Sequence, residues 1–294
     1  MESYLVKSSG FDGMVRAYAS TTTDVVEEAR RRHDSWATAT AALGRTMTIT
    51  AMMGAMMKGE DTITAKVEGG GPIGGIVVDA NTTGDVRGYV QHPQTDFPTN
   101  AVGKLDVARA VGTTGTLSIV KDVGMKDYFT GQVQLVTGEI SEDFTYYFAH
   151  SEQVPSAVGA GVLINPDHSV LAAGGFIVQM MPGATDEVIE QIEKNISNMP
   201  AISESIKQGK TPEEILDLLF GEASYSVLEK LPIQFTCKCS KDRFERAIVG
   251  LGAEEIKSMI DEDKGAEAQC HFCNEIYNFS EEELIHCLDQ VKES

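Results

Sequence analysis

Apolar positions in the first 180 residues recur with two spacings. Thr62–Glu68 alternates, with Ile63, Ala65 and Val67 on one side, which predicts a half-buried strand. Asp85–Val90 and Gln132–Val136 read as further strands. Asn81-Thr82-Thr83-Gly84 reads as a hairpin turn between two strands. Val162–Ile164, the turn Asn165-Pro166-Asp167 and the run Ser169–Met180 predict another hairpin. Helical spacing predicts one helix from Thr23 to His33, N-capped by Thr22 or Thr23, a longer one from about Thr38 to Met57, and a third beginning near Asp143. This order fits antiparallel sheet with helices packed on it, an α+β class, better than βαβ winding.

After Pro182-Gly183 the period becomes 3.6. Val188, Ile189, Ile192 and Ile196 form one stripe, and Asp186, Glu187, Glu190 and Glu193 lie largely off it. Ile202 and Ile206 continue the helical segment beyond Pro200. Thr211-Pro212-Glu213-Glu214 is a helix start, with Thr at the N-cap, Pro at the first helical position and Glu at the third; that helix stops at Gly221. Helices this short with such narrow stripes need a partner surface, and the sheet of residues 1–180 is the expected one.

In the last stretch Ser240 caps a helix carrying Phe244, Ala247, Ile248 and Leu251 that ends at Gly252. A further helical turn carries Ile256, Met259 and Ile260. Ile276–Phe279 reads as a strand, and Ser280-Glu281-Glu282-Glu283 as a capping box for a final helix with Leu284, Leu288 and Val291 on one face. The expected organisation is an α+β core (1–180), a helical linker (181–230) and a small cysteine-bearing module (231–294).

Composition narrows the function. The chain has 294 residues, 42% hydrophobic and 23% charged, with a net charge of −20; residues 201–294 hold 10 Lys and Arg against 20 Asp and Glu. Such acidity argues against phosphate-backbone binding, so no nucleic-acid partner is expected. Arg30-Arg31-Arg32 is the only basic cluster and reads as a solvated helix face. Met1–Ser20 lacks the apolar core of a signal peptide, and no stretch approaches the ~18 apolar residues of a membrane span. A cytoplasmic protein without a membrane partner is expected, in a compartment where paired cysteines more often signal metal or redox chemistry than permanent crosslinks.

All five cysteines lie in the last sixty or so residues. Cys237-Lys238-Cys239 is a C-x-C and Cys270-His271-Phe272-Cys273 a C-x-x-C, separated by Ser240–Gln269. Two close thiol pairs on either side of one long loop can converge on a tetrahedral metal ion. The same pairs can instead close two local disulfides. The site is therefore either a structural zinc site or a metal-thiolate switch. A module with so few large apolar residues has a marginal core that a bound metal would stabilise. Ordinary zinc ribbons use two C-x-x-C knuckles, and a C-x-C disulfide closes a very small ring and is expected to be labile. With four thiolates filling the shell, His271 is not expected as a ligand, and Cys287 reads as a packing residue on the last helix.

Other motifs carry less. Glu68-Gly69-Gly70-Gly71-Pro72 and Gly112-Thr113-Thr114-Gly115 suggest a phosphate cradle, but no Gly-Lys-Ser/Thr follows and neither opens a helix, so tight turns are expected. Gly71–Asp79 and Gly115–Asp122 echo one another, as a duplicated strand unit would. Met47, Met52, Met53, Met56 and Met57 crowd one helix, as core packing or as an adaptable apolar surface.

Together the C-x-C…C-x-x-C at 237–273, Cys-His-Phe-Cys-Asn at 270–274, Glu-Gly-Gly-Gly-Pro-Ile-Gly at 68–74, Ala-Leu-Gly-Arg-Thr at 42–46 and Ser-Glu-Gln-Val-Pro at 151–155 make the chain resemble, over its whole length, heat shock protein 33, the redox-regulated bacterial holdase family. The resemblance implies one zinc held in the reduced form by Cys237, Cys239, Cys270 and Cys273. It further implies oxidation to the disulfides Cys237–Cys239 and Cys270–Cys273, metal release, unfolding of the module and linker, homodimer formation, and ATP-independent binding of unfolding client proteins. No catalytic residues follow from it. Two rivals are a thiol-disulfide oxidoreductase using Cys270 and Cys273, which needs a strand-to-helix context, and a constitutive zinc-dependent adaptor.

Overall fold

The computed structural model describes residues 2–101 and 103–293. They divide after Thr236 into two compact units. In chain order the first contains β1 (Tyr4–Gly10), β2 (Val15–Thr21), α1 (Thr23–His33), α2 (Ala37–Gly54), β3 (Thr62–Glu68), β4 (Gly75–Asn81), β5 (Asp85–Val90), α3 (Val107–Val111), β6 (Thr116–Asp122), β7 (Phe129–Gln134), α4 (Ser141–Tyr147), β8 (Ser156–Ile164) and β9 (Val170–Met180). It continues with α5 (Asp186–Asn198), α6 (Ile202–Lys207), α7 (Pro212–Phe220), β10 (Tyr225–Pro232) and β11 (Gln234–Phe235). The second unit contains α8 (Lys241–Leu251), α9 (Ala253–Ser258), β12 (Gly265–Gln269), β13 (Ile276–Ser280) and α10 (Glu281–Glu293).

The first unit has a five-stranded sheet, β10-β1-β2-β9-β8, and a six-stranded sheet, β11-β5-β4-β3-β6-β7. Every neighbouring pair is antiparallel except β11 with β5. The expected α+β class is the observed one. The two hairpins read from sequence are β4–β5 and β8–β9.

α2 lies between the sheets and is buried almost all round, as a helix without a polar face must be. Its buried threonines would be costly without partners; the hydroxyls of Thr46, Thr48 and Thr50 donate to the carbonyls of Ala42, Gly44 and Thr46, one turn back. Met47, Met52 and Met53 are buried in this core, so those methionines of the cluster are packing residues. Thr22 is the N-cap of α1 by position, but its hydroxyl is hydrogen-bonded to that of Thr48 (2.7 Å) and does not cap the helix.

The glycine runs have a structural explanation. The N–H groups of Gly71 and Ile73 donate to the carbonyls of Val111 and Ala110, and the N–H of Thr114 donates to Gly69. A Cβ on Gly69 would sit 2.3 Å from the Val111 oxygen, and one on Gly115 1.9 Å from the Glu68 oxygen. The two runs lock backbone to backbone, and glycine is what permits that approach. The echoing segments form β4 and β6, which flank β3 on opposite sides. The arginine run on α1 is neutralised locally, Arg30 by Glu27 and both Arg31 and Arg32 by Glu28.

α5, α6 and α7 cover the face of the five-stranded sheet that points away from α2. Val188, Ile192, Ile202, Ile206, Leu216 and Phe220 pack with Val6, Val15, Ala17, Ala19, Phe176 and Val178. The stripe on α5 is used in part: Val188 and Ile192 are buried and Ile196 packs at the margin, while Ile189, half-exposed, lies outside that cluster. The capping box at Thr211 and Glu214 is present in both directions. Within the segment expected to be a helical linker, helix ends at Phe220, and Tyr225–Pro232 is strand β10, paired with β1 across a register shift between Lys7 and Ser8 that leaves Leu228 without a β1 partner. Its side chains are mostly exposed, so no period-two burial marks it; the β1 edge specifies it instead.

The second unit is small. Ile248, Ile256, Phe279, Leu284, Cys287 and Leu288 form its buried core among the described residues. Ser240 caps α8, and Ser280 and Glu283 form a reciprocal capping box on α10.

Candidate metal centre

The first cysteine pair follows β11 directly, on the extended segment that ends at the cap of α8. The second pair occupies the turn of the β12–β13 hairpin, whose register runs from Gly265↔Ser280 to Gln269↔Ile276. The turn is closed by two backbone bonds: the Cys270 N–H donates to the Glu275 carbonyl and the Asn274 N–H to the Cys270 carbonyl. Asn274 is left-handed (φ 59°), a conformation its short polar side chain tolerates better than most. This folds Cys270 and Cys273 over the same point.

The sulfurs of Cys237, Cys239, Cys270 and Cys273 all lie within 4.8 Å of one another. Cys239 Sγ is 3.3 Å from Cys273 Sγ, and Cys237 Sγ is 3.7 Å from Cys270 Sγ. Zn–S bonds of about 2.3 Å in a tetrahedron separate the sulfurs by about 3.8 Å, so this cluster fits such an ion. All five cysteines are free thiols. Cys270 and Cys273 are buried, Cys237 and Cys239 half-buried. Burial pushes the Cys270 and Cys273 thiols above their ordinary range, and the neighbouring sulfurs add to this at Cys273. Thiols gathered in this way ionise readily only with a compensating cation. Four close thiolates suit zinc or an iron–sulfur centre, and the donor set fits a soft divalent ion.

The sequence-derived ligand residues are thus brought together. His271 is exposed and outside the group of four sulfurs. Cys287 is fully buried in the core of the second unit, and that burial pushes its thiol up. One participant was missed: the Tyr277 hydroxyl lies 3.2 Å from Cys239 Sγ, and that hydrogen bond pushes the tyrosine well above its usual range. Strand alternation from Ile276 puts Tyr277 and Phe279 on one side, but nothing in the spacing points that side at Cys239. Cys273 is followed by a hairpin strand, whereas a reactive C-x-x-C thiolate draws on the N-terminus of a helix.

The model of the Hsp33 protein family matches residues 3–280. The 33 kDa chaperonin of Oceanobacillus iheyensis is 64% identical over 284 residues, covering 97% of this chain and 98% of that protein. The 33 kDa chaperonin of Bacillus subtilis is 60% identical over 288 residues, 98% of this chain and 99% of that protein. The crystal structure of the 33 kDa chaperonin (heat shock protein 33 homolog) of Thermotoga maritima superposes with a TM-score of 0.94 at 39% identity, over all of both chains. On these matches, and with the four thiols gathered at one point, the chain belongs to the Hsp33 family.

Proposed function

We propose that the protein is a cytoplasmic, ATP-independent holdase chaperone whose client binding is switched by oxidation of the four-thiol site. The observation that carries this reading is the cluster itself: four free thiols within 4.8 Å, drawn as two sequence-adjacent pairs from separate segments. The relatives' name, chaperonin, supplies the activity class. In the reduced protein Cys237, Cys239, Cys270 and Cys273 would hold one zinc ion, which when bound supplies folding free energy to a unit with a thin core. Oxidation of the neighbouring thiols to Cys237–Cys239 and Cys270–Cys273 removes the ligands, and the unit loses its main stabiliser.

The docked helices α5–α7 supply the second half of the reading. Their apolar faces and the sheet face beneath them are buried against each other. Loosening that contact would uncover two apolar surfaces, which suit unfolding proteins of varied sequence. Homodimer formation on activation belongs to the same proposal. The role requires no catalytic residue and no nucleotide.

The test measures zinc content and the suppression of a client's thermal aggregation on one sample, before and after peroxide treatment at raised temperature. The proposal requires about one zinc per chain and weak suppression before treatment, then metal loss and strong suppression after it. Equal suppression in both states would identify a constitutive adaptor. Catalysed reduction of insulin would identify an oxidoreductase.

A further inference from the structure

Tyr277 joins the two halves of the thiol site. It lies on β13, opposite Ala268 of β12, on the hairpin that carries Cys270 and Cys273. Its hydroxyl, however, reaches Cys239 of the other pair (3.2 Å). Its ring packs against Phe244 of α8, the helix that begins just after Cys239, with centroids 5.1 Å apart and planes inclined by 35°. The ring is thus fixed by packing and the hydroxyl is aimed at one sulfur. Once Cys239 is a deprotonated ligand, the tyrosine holds the only proton between the two atoms, so the O–H donates to the sulfur.

We propose that Tyr277 is a positioning residue for the thiol site: its hydroxyl fixes the Cys239 thiolate toward the metal and withdraws electron density from that sulfur, slowing both metal loss and attack on oxidant. The inference rests on the metal-thiolate reading of the same cluster and says which residue sets its threshold. With hydrogen peroxide as oxidant, a thiolate attacks one peroxide oxygen; an S–O bond forms, the O–O bond breaks and hydroxide leaves. The neighbouring thiolate then displaces hydroxide from the sulfenic acid to form the S–S bond. The two sulfurs lose two electrons in all and the peroxide takes both. A donor on the attacking sulfur stabilises the thiolate more than the transition state, so the first step slows while it is in place. Partners of metal ligands are commonly worth about ten- to a hundredfold in metal affinity.

The experiment uses the full-length chain with Tyr277→Phe, which keeps the ring and removes the hydroxyl, beside Phe244→Leu, which loosens the ring and keeps the hydroxyl. Zinc affinity is measured by chelator competition, and the peroxide-driven rate of zinc loss with a chromogenic chelator. A cobalt-substituted sample reports the sulfur-to-metal charge-transfer band. Tyr277→Phe is expected to bind zinc about tenfold more weakly, to lose it several-fold faster under peroxide, and to move the band to lower energy; Phe244→Leu leaves the band in place. Wild-type affinity, rate and band in Tyr277→Phe would overturn the proposal while leaving the metal site intact. Identical changes in both variants, band included, would reduce Tyr277 to a packing residue and overturn it too. Failure of the wild-type chain to take up zinc or cobalt would overturn the metal reading and this inference with it.

Discussion

Gly174 of β9 lies directly beneath Ile206 of α6: a Cβ on the glycine would stand 2.4 Å from the isoleucine Cδ1. Gly161 of β8 stands in the same relation to Ser203, whose N, Cβ and Oγ would each be 3.0 Å away. These glycines let a short helix settle onto the sheet backbone. Gly161→Ala is therefore expected to lift α6 by a few tenths of an ångström, at a cost of about 1–3 kcal/mol to its docking. Hydrogen exchange should show faster exchange across 202–207 with α8 and the β12–β13 hairpin unchanged. Unchanged protection in α6 would refute this.

Ile192 is the deepest residue of the α5 stripe, 1% exposed, and Ile196 packs beside it. Replacing both with Ser removes two apolar anchors and places hydroxyls on an apolar face, a loss of about 3 kcal/mol or more. The double variant is expected to suppress client aggregation without oxidant and to bind a hydrophobic dye while still holding its metal. A variant that stays inactive while hydrogen exchange shows the helices undocked would rule out this surface as the client site.

Glu213 ties α7 to two strands. Its carboxylate accepts a hydrogen bond from the Tyr4 hydroxyl of β1 (2.6 Å) and pairs with Lys230 of β10. Burial pushes this carboxyl up, but the bonds from Lys230 and Tyr4 outweigh it and hold the folded value below the ordinary range. With the folded value depressed, the stabilisation is present above the unfolded value and is lost as pH falls through the folded one. Protection of α7 should therefore decline in acid, below about pH 4. Glu213→Gln should flatten that decline and cost about 1–2 kcal/mol at neutral pH. A Glu213→Gln profile with the same acid limb as the parent would count against the assignment.

Metal content tests the ligand set. Cys239→Ser is expected to lose zinc or to hold it far more weakly. In the parent chain affinity should fall with falling pH, because protons compete for thiolates and burial already favours the protonated forms of Cys270 and Cys273. Elemental analysis against pH provides the check; full retention in Cys239→Ser would mean a different ligand set.

Peptide mapping after peroxide is expected to show Cys237–Cys239 and Cys270–Cys273, with Cys287 still a thiol. Proximity in the folded site does not select these pairs, since the 3.3 Å and 3.7 Å sulfur contacts both run between pairs. The short loops of C-x-C and C-x-x-C win only if the unit loosens as oxidation proceeds, because a short loop closes at the smallest entropic cost in a mobile chain. Dominant cross-pair bonds would show instead that oxidation is completed inside the folded unit.

Much of this was legible in the sequence because local chemistry decided it. α1 has the predicted bounds, the capping boxes at Thr211 and Ser280 hold, and the C-x-C and C-x-x-C meet. Where partners lie far off in the chain, legibility failed. β10 has little burial periodicity and exists because β1 offers it an edge. β12 failed for a different reason: a short stretch of Gly, Ala and polar residues carries no strand pattern, although its partner β13 is only a hairpin turn away. The Tyr277 contact needed the hairpin register, which no spacing rule supplies. The two glycine runs were expected to be tight turns, but that each packs against the other is a long-range relation no local motif carries.

The placement of β10 bears on reversibility. The segment bearing α5–α7 leaves the five-stranded sheet at the end of β9 and rejoins it at the start of β10, two strands of the same sheet. If the helices lift away, they form a loop pinned at both ends rather than a free tail. Return to the sheet is then a unimolecular event, driven by an effective concentration on the order of millimolar and independent of how dilute the protein is. On the proposed reading, a client bound to the uncovered sheet face would have to compete with that tethered segment.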